Sequence, residues 1–106
     1  MRYILDAAGN PVPEPDLFKW AQWFENGRNR ILEQDHAGGF FVSTVFLALD
    51  HNFAGGPPIL WETMIFPETK TQLDVPYAHF QNRYSSREEA IEGHRRIVQM
   101  LTSYSR

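Results

Sequence analysis

Two apolar runs, residues 40–49 and 59–66, flank the segment Asp50-His51-Asn52-Phe53-Ala54-Gly55-Gly56-Pro57-Pro58. Runs rich in Phe, Val, Ile and Thr, joined by Asp, Asn, Gly and Pro, read as the two strands of a β-hairpin. Setting Thr44 opposite Met64 places Phe41, Ser43, Val45, Leu47 and Leu49 on one face with Ile59, Trp61, Thr63 and Ile65. The other face then carries Val42, Thr44, Phe46, Ala48 and Asp50 with Leu60, Glu62, Met64 and Phe66. Both faces are substantially apolar, so each needs cover. We expect a helix layer on one, and on the other the second helix, a loop or a second subunit.

Around this hairpin the chain punctuates itself. A strand over residues 3–5 ends at Asp6-Ala7-Ala8-Gly9-Asn10, and Pro11, Pro13 and Pro15 argue against a continuous ladder or a helix interior there. Asp16 is placed to cap a helix running to Asn26, with Leu17, Trp20, Ala21 and Phe24 on its apolar stripe and Gly27 just past its end. Residues 28–33, apolar only at Ile31-Leu32, read as an edge strand that turns through Asp35-His36-Ala37-Gly38-Gly39 into Phe40. Residues 67–76, polar and bounded by prolines, read as a mobile excursion, and residues 77–84 as a half-exposed strand. Ser86 and Glu89 form a capping box for a last helix whose buried stripe is Ala90, Ile91, His94, Ile97, Val98 and Leu101. The order predicts an α+β fold in a single domain, 1–106: an antiparallel sheet of four to five strands with a central long hairpin, packed by two helices.

Composition removes several classes of function. The formal net charge of −3 and the scattered Lys and Arg, adjacent only at Arg95-Arg96, argue against a nucleic-acid partner. There are no cysteines, hence no disulfide, thiolate metal site or cysteine nucleophile. No apolar run approaches the roughly 20 residues that span a bilayer, so a soluble cytoplasmic protein without a membrane partner is expected. No phosphate-binding glycine loop or nucleophile elbow is present, and no cofactor is expected.

Six residues are candidates for a ligand site. Glu62, a carboxylate beside Trp61 and Met64 in an apolar strand, is placed as general acids and bases often are, with Thr44 the nearest hydroxyl in the assumed register. His94 interrupts the apolar stripe of the last helix one position after Gly93, which itself suggests close backbone packing. Asp50 and His51 stand at the hairpin tip, where they also suit a turn cap. Arg83 precedes the helix start at Ser86, whose free amides favour an anion, although Arg83 could equally pair with Glu62 or Asp50. Asp50, His51, Glu62 and His94 include metal-ligand types but lack the local spacing of a metal motif, and no metal is expected. Phe18 and Trp23 fall outside the first helix's stripe and are candidate interface residues for a homodimer.

The chain resembles a family of small uncharacterised proteins of tailed bacteriophages and prophages. The resemblance lies in Tyr3-Ile4-Leu5-Asp6 with Gly9-Asn10-Pro11-Val12, Trp20 with Trp23-Phe24-Glu25, Ser43-Thr44-Val45-Phe46-Leu47 with Leu49-Asp50-His51, Gly56-Pro57-Pro58 with Glu62-Thr63-Met64, and Arg83-Tyr84-Ser85 with Gly93-His94. At residues 67–76 the chain departs from the glycine-rich turn more usual there. The resemblance implies takeover of the host or evasion of its defences rather than a particular reaction. The expected function is a non-catalytic accessory protein in the host cytoplasm that binds a host protein or a small anionic, nucleotide-like ligand. The alternatives are a small enzyme using Glu62 with His94 or His51 as acid and base, and a minor virion or assembly protein.

Overall fold

The longer apolar run becomes the second strand of a four-stranded antiparallel meander in the computed structural model, which describes residues 1–68 and 80–104. The elements are β1 (Tyr3–Leu5), β2 (Pro11–Pro13), α1 (Leu17–Glu25), a 3-10 turn at Gly27–Arg30, β3 (Ile31–Ala37), β4 (Phe40–Phe46), β5 (Trp61–Pro67), β6 (Gln81–Tyr84) and α2 (Arg87–Tyr104). The sheet order is β3-β4-β5-β6, with β1 and β2 forming a separate two-stranded ribbon. The fold is α+β. The excursion expected at 67–76 lies, beyond residue 68, outside the described residues, as does the start of the strand expected at 77–84.

The register differs from the expected one by a residue. Thr44 pairs with Thr63, Phe46 with Trp61 and Val42 with Ile65, so each strand keeps its own alternation but the faces join differently. Thr44 and Glu62 therefore lie on opposite faces, because a slip of one exchanges the side on which partners meet. The strands are also shorter than the apolar runs. At Ala48 the backbone adopts φ 64°, a conformation an L-residue rarely takes, and its carbonyl accepts hydrogen bonds from the Tyr3 amide and the Trp20 indole. That junction ties β1 and α1 to the end of the hairpin.

Three local expectations change. Residues 35–37, expected to turn, continue β3, and the reversal is left to Gly38 and Gly39 at φ 57° and 83°. Pro11 and Pro13 do sit in a short ladder: the Asp6 amide donates to the Asn10 carbonyl and the Glu14 amide to the Arg2 carbonyl. This alternation turns positions 11 and 13 outward, where a missing N–H costs nothing. In α1, capped by Asp16 through the amides of Phe18 and Lys19, the inward side is Trp20, Trp23 and Phe24, whereas Leu17 is exposed.

Both helices lie on one side of the sheet. Facing α2, the sheet presents apolar clusters at its two ends. Ala37, Phe40, Val42 and Ile65 pack with Ile97 and Leu101. Phe46, Leu60, Trp61 and Tyr84 pack with Ala90, and Trp20, Trp23 and Phe24 of α1 close their rim. Gly93 lets α2 approach: a β-carbon there would stand 2.3 Å from the Tyr84 hydroxyl. The second helix does not cover the opposite face, contrary to one of the arrangements expected.

Candidate functional site

Between the two apolar clusters the covered face carries a row of polar residues, Glu33, Thr44, Thr63 and Asn82, aligned by the pairing of β3 to β6. His94 sits above this row. Its stripe on α2, Ala90, His94, Ile97 and Leu101, puts it where an apolar residue would otherwise bridge the clusters. Thr44, Thr63 and His94 are each 0% exposed, so every polar atom among them needs a partner inside the protein.

They supply one another. Thr63 Oγ1 lies 2.5 Å from Thr44 Oγ1, Thr44 Oγ1 lies 2.7 Å from His94 Nδ1, and His94 Nε2 lies 2.6 Å from Asp35 Oδ2. With the imidazole proton on Nε2, the chain has a single direction: Thr63 donates to Thr44, Thr44 to Nδ1, and Nε2 to Asp35. Glu33 turns Oε2 to 3.7 Å from Nε2 and holds Arg95 at 3.2 Å through Oε1.

A hydroxyl, an imidazole and a carboxylate in series resemble the relay that activates a hydroxyl nucleophile. Thr44, however, is sealed under α2, and a substrate carbonyl has no route to its oxygen. The arrangement holds the helix to the sheet and aims the far side of the ring outward, towards Asp35 at the protein surface. Beyond it opens a cleft of about 1070 Å³ along α2, lined by Glu33, Asp35, Glu88, Glu92, Arg95 and others.

The remaining candidates have partners of their own. Glu62 and Arg83 pair across β5 and β6 on the open face, with Arg83 Nε 2.9 Å and Gln81 Nε2 2.5 Å from Glu62 Oε2. The sheet thus separates Glu62 from His94, and an acid and base pair of the two cannot form. Ser86 accepts from the Glu89 amide and donates to the Glu89 carboxylate. The helix start is closed by its own capping box, and its arginine is engaged with Glu62. Asp50 accepts from the amides of Asn52 and Ile59, which hold its carboxyl below the ordinary value of 3.8. It works as the clasp of the hairpin loop. His51 Nδ1 donates to the Leu49 carbonyl at 2.8 Å. Arg83 thus lies across the sheet from His94, and Ser86, Asp50 and His51 are each engaged by local partners of their own. Of the aromatic candidates, Trp23 packs edge-on against Phe46 with ring centroids 5.7 Å apart, while Phe18 is 81% exposed.

Asp35, Glu33 and Thr63 were not among the residues the sequence singled out. The usable signal was His94 itself, since a buried imidazole requires polar partners at both nitrogens. Glu33 and Asp35, two apart on one strand face, were the acids able to supply them.

The open face is built in rows as well. His36, Phe41 and Phe66 lie side by side, with ring centroids 5.1 and 6.3 Å apart. Gln34, Ser43, Met64 and Gln81 form the next row and Val45, Glu62 and Arg83 the third, Val45 pairing with Glu62 and Glu62 with Arg83. Among the described residues, no helix packs on this side. Nor is any helix among the described residues long and apolar enough to cross a membrane. The chain matches no protein-family model, no curated protein and no solved structure.

Proposed function

We propose that the protein is a non-catalytic binding protein that presents the open face of its sheet to a protein partner, a second copy of the chain being the first. The observation that carries this reading is the unequal finish of the two faces. The covered face spends two helices on its core. The open face sets the aromatic row His36, Phe41 and Phe66 at one end, Met64 next to it among Gln34, Ser43 and Gln81, and the ion pair of Glu62 and Arg83 in the row beyond. An aromatic patch bordered by paired polar groups fits a protein interface.

A small anionic ligand has less support, because Arg83 and Ser86 are already occupied by Glu62 and Glu89. Under the resemblance to small phage proteins, a further partner is a host protein in the cytoplasm, and takeover of the host or evasion of its defences is the setting in which such a surface acts.

Sedimentation of the wild type and of a Phe41→Asp, Phe66→Asp variant tests the reading. The wild type is expected to self-associate at micromolar concentration to twice the 12.3 kDa of one chain, and the variant to remain folded and monomeric. A wild type that stays monomeric across the concentration range, or a variant that dimerises as well as the wild type, removes the open face as the contact.

A further inference from the structure

We propose that His94, Asp35 and Glu33 form a site for a divalent transition-metal ion of the zinc class, clipping edge strand β3 to helix α2. The ligand atoms of these three side chains all lie within 4.8 Å of one another. They are imidazole nitrogen and carboxylate oxygen, the donor set that suits zinc and its neighbours better than magnesium or calcium.

Three features distinguish this cluster from a chance gathering of acids. The first is the imidazole, which is fully buried and fixed in orientation. Thr44 Oγ1, itself held by Thr63, engages Nδ1 at 2.7 Å, the outer partner that a metal-binding histidine commonly has at its other nitrogen. With the proton on Nδ1 and the threonine hydroxyls turned the other way, Nε2 presents its lone pair to the carboxylates.

The second is a surplus of acceptors. Nε2, Asp35 Oδ2 and Glu33 Oε2 converge, and one Nε2 proton at most can be shared among them. Arg95 binds Glu33 through the other oxygen, Oε1, which orients Oε2 towards the ring. A divalent cation satisfies all three acceptors together.

The third is fit. Two ligands bound at about 2.0–2.1 Å with tetrahedral angles stand about 3.3 Å apart. The Glu33 Oε2 to Nε2 distance is 3.7 Å. The Asp35 Oδ2 to Nε2 distance is 2.6 Å, so the Asp35 carboxylate must move outward by under an ångström. Its side chain is 50% exposed and free to do so. The cleft beyond it admits the ion and leaves room for water in the remaining position.

The test uses the full chain with the other three histidines, His36, His51 and His79, replaced by alanine to remove competing imidazoles. After chelation, Zn2+ is titrated calorimetrically and Co2+ by its visible absorption. A single-site isotherm, cobalt bands of a low-symmetry four- or five-coordinate centre, and a thermal midpoint raised by several degrees in excess Zn2+ are expected. Asp35→Asn, which keeps an amide oxygen for Nε2, and Glu33→Gln, on side chains 50% and 24% exposed, should each weaken binding about tenfold or more. No Zn2+ isotherm in the parent protein, or binding undiminished in the Asp35→Asn, Glu33→Gln double variant with native circular dichroism, overturns the proposal.

Discussion

The two faces of the four-stranded sheet share every strand, yet they treat their polar residues in opposite ways. On the covered face Thr44 and Thr63 are sealed from water and, among the described residues, bonded to each other and to His94, whose outer nitrogen meets Asp35 at the protein surface. On the open face Glu62 is nearly as buried, but it is shielded by its neighbours Arg83 and Gln81, whose far ends reach solvent. Losing a link of Thr63, Thr44 and His94 Nδ1 in the first setting strands a donor or acceptor without water. In the second, water takes its place. The contrast teaches that burial alone does not rank polar residues; what matters is whether solvent can replace a lost partner.

The strongest way to break this comparison is His94→Ala. It opens a cavity between the two apolar clusters and leaves Thr44 without its acceptor, and should cost about 3–5 kcal/mol in urea unfolding. Gly93→Ala comes next. Alanine is the better helix former, but its β-carbon would stand 2.3 Å from the buried Tyr84 hydroxyl, and overpacking of about 1–3 kcal/mol should outweigh the propensity gain of about 1 kcal/mol. On the other face Glu62→Gln should cost no more than about 1 kcal/mol, since Arg83 is 42% exposed and rehydrates. If Glu62→Gln proves as damaging as His94→Ala, the proposed difference between the faces is wrong.

The smallest effect lies in acid. Asp50 is held below its ordinary 3.8 by the Asn52 and Ile59 amides. A carboxyl whose folded pKa is depressed contributes stability above its unfolded value and loses it as pH falls through the folded one. Melting curves below pH 4 should therefore fall more steeply for the wild type than for Asp50→Ala. Parallel curves would show that the clasp contributes nothing through its charge.

How much of this was legible follows from how local each signal is. The caps at Asp16 and Ser86 depend on residues two or three positions away, and both stand where the sequence put them. Gly93 announced a close approach before Tyr84 was known to make it. The alternation within β4 and within β5 was readable too. Their mutual register was not, because both faces of each strand are apolar enough that a slip of one leaves the hydrophobic pattern satisfied, and the choice falls to the pairing of Thr44 with Thr63 and the turn at Ala48. That slip carried Glu62 to the wrong face and hid the partners of His94. Asp35 is 59 residues from His94, and no spacing rule reaches so far. The open face was foreseen as needing cover, whereas its distance from both helices could not be read from their amphipathic stripes.

The meander joins each strand to its neighbour in sequence, while α2, the last element described, must return across the chain to meet β3. During synthesis the strands can therefore zip together hairpin by hairpin as they leave the ribosome, but Thr44 and Thr63 remain wet until residue 94 and the turns around it have emerged. The nascent sheet has, for that interval, two open faces instead of one. Ribosome stalling before residue 90 should then leave a chain that a chaperone recognises, and release of the final turns of helix should be the event that ends the exposure.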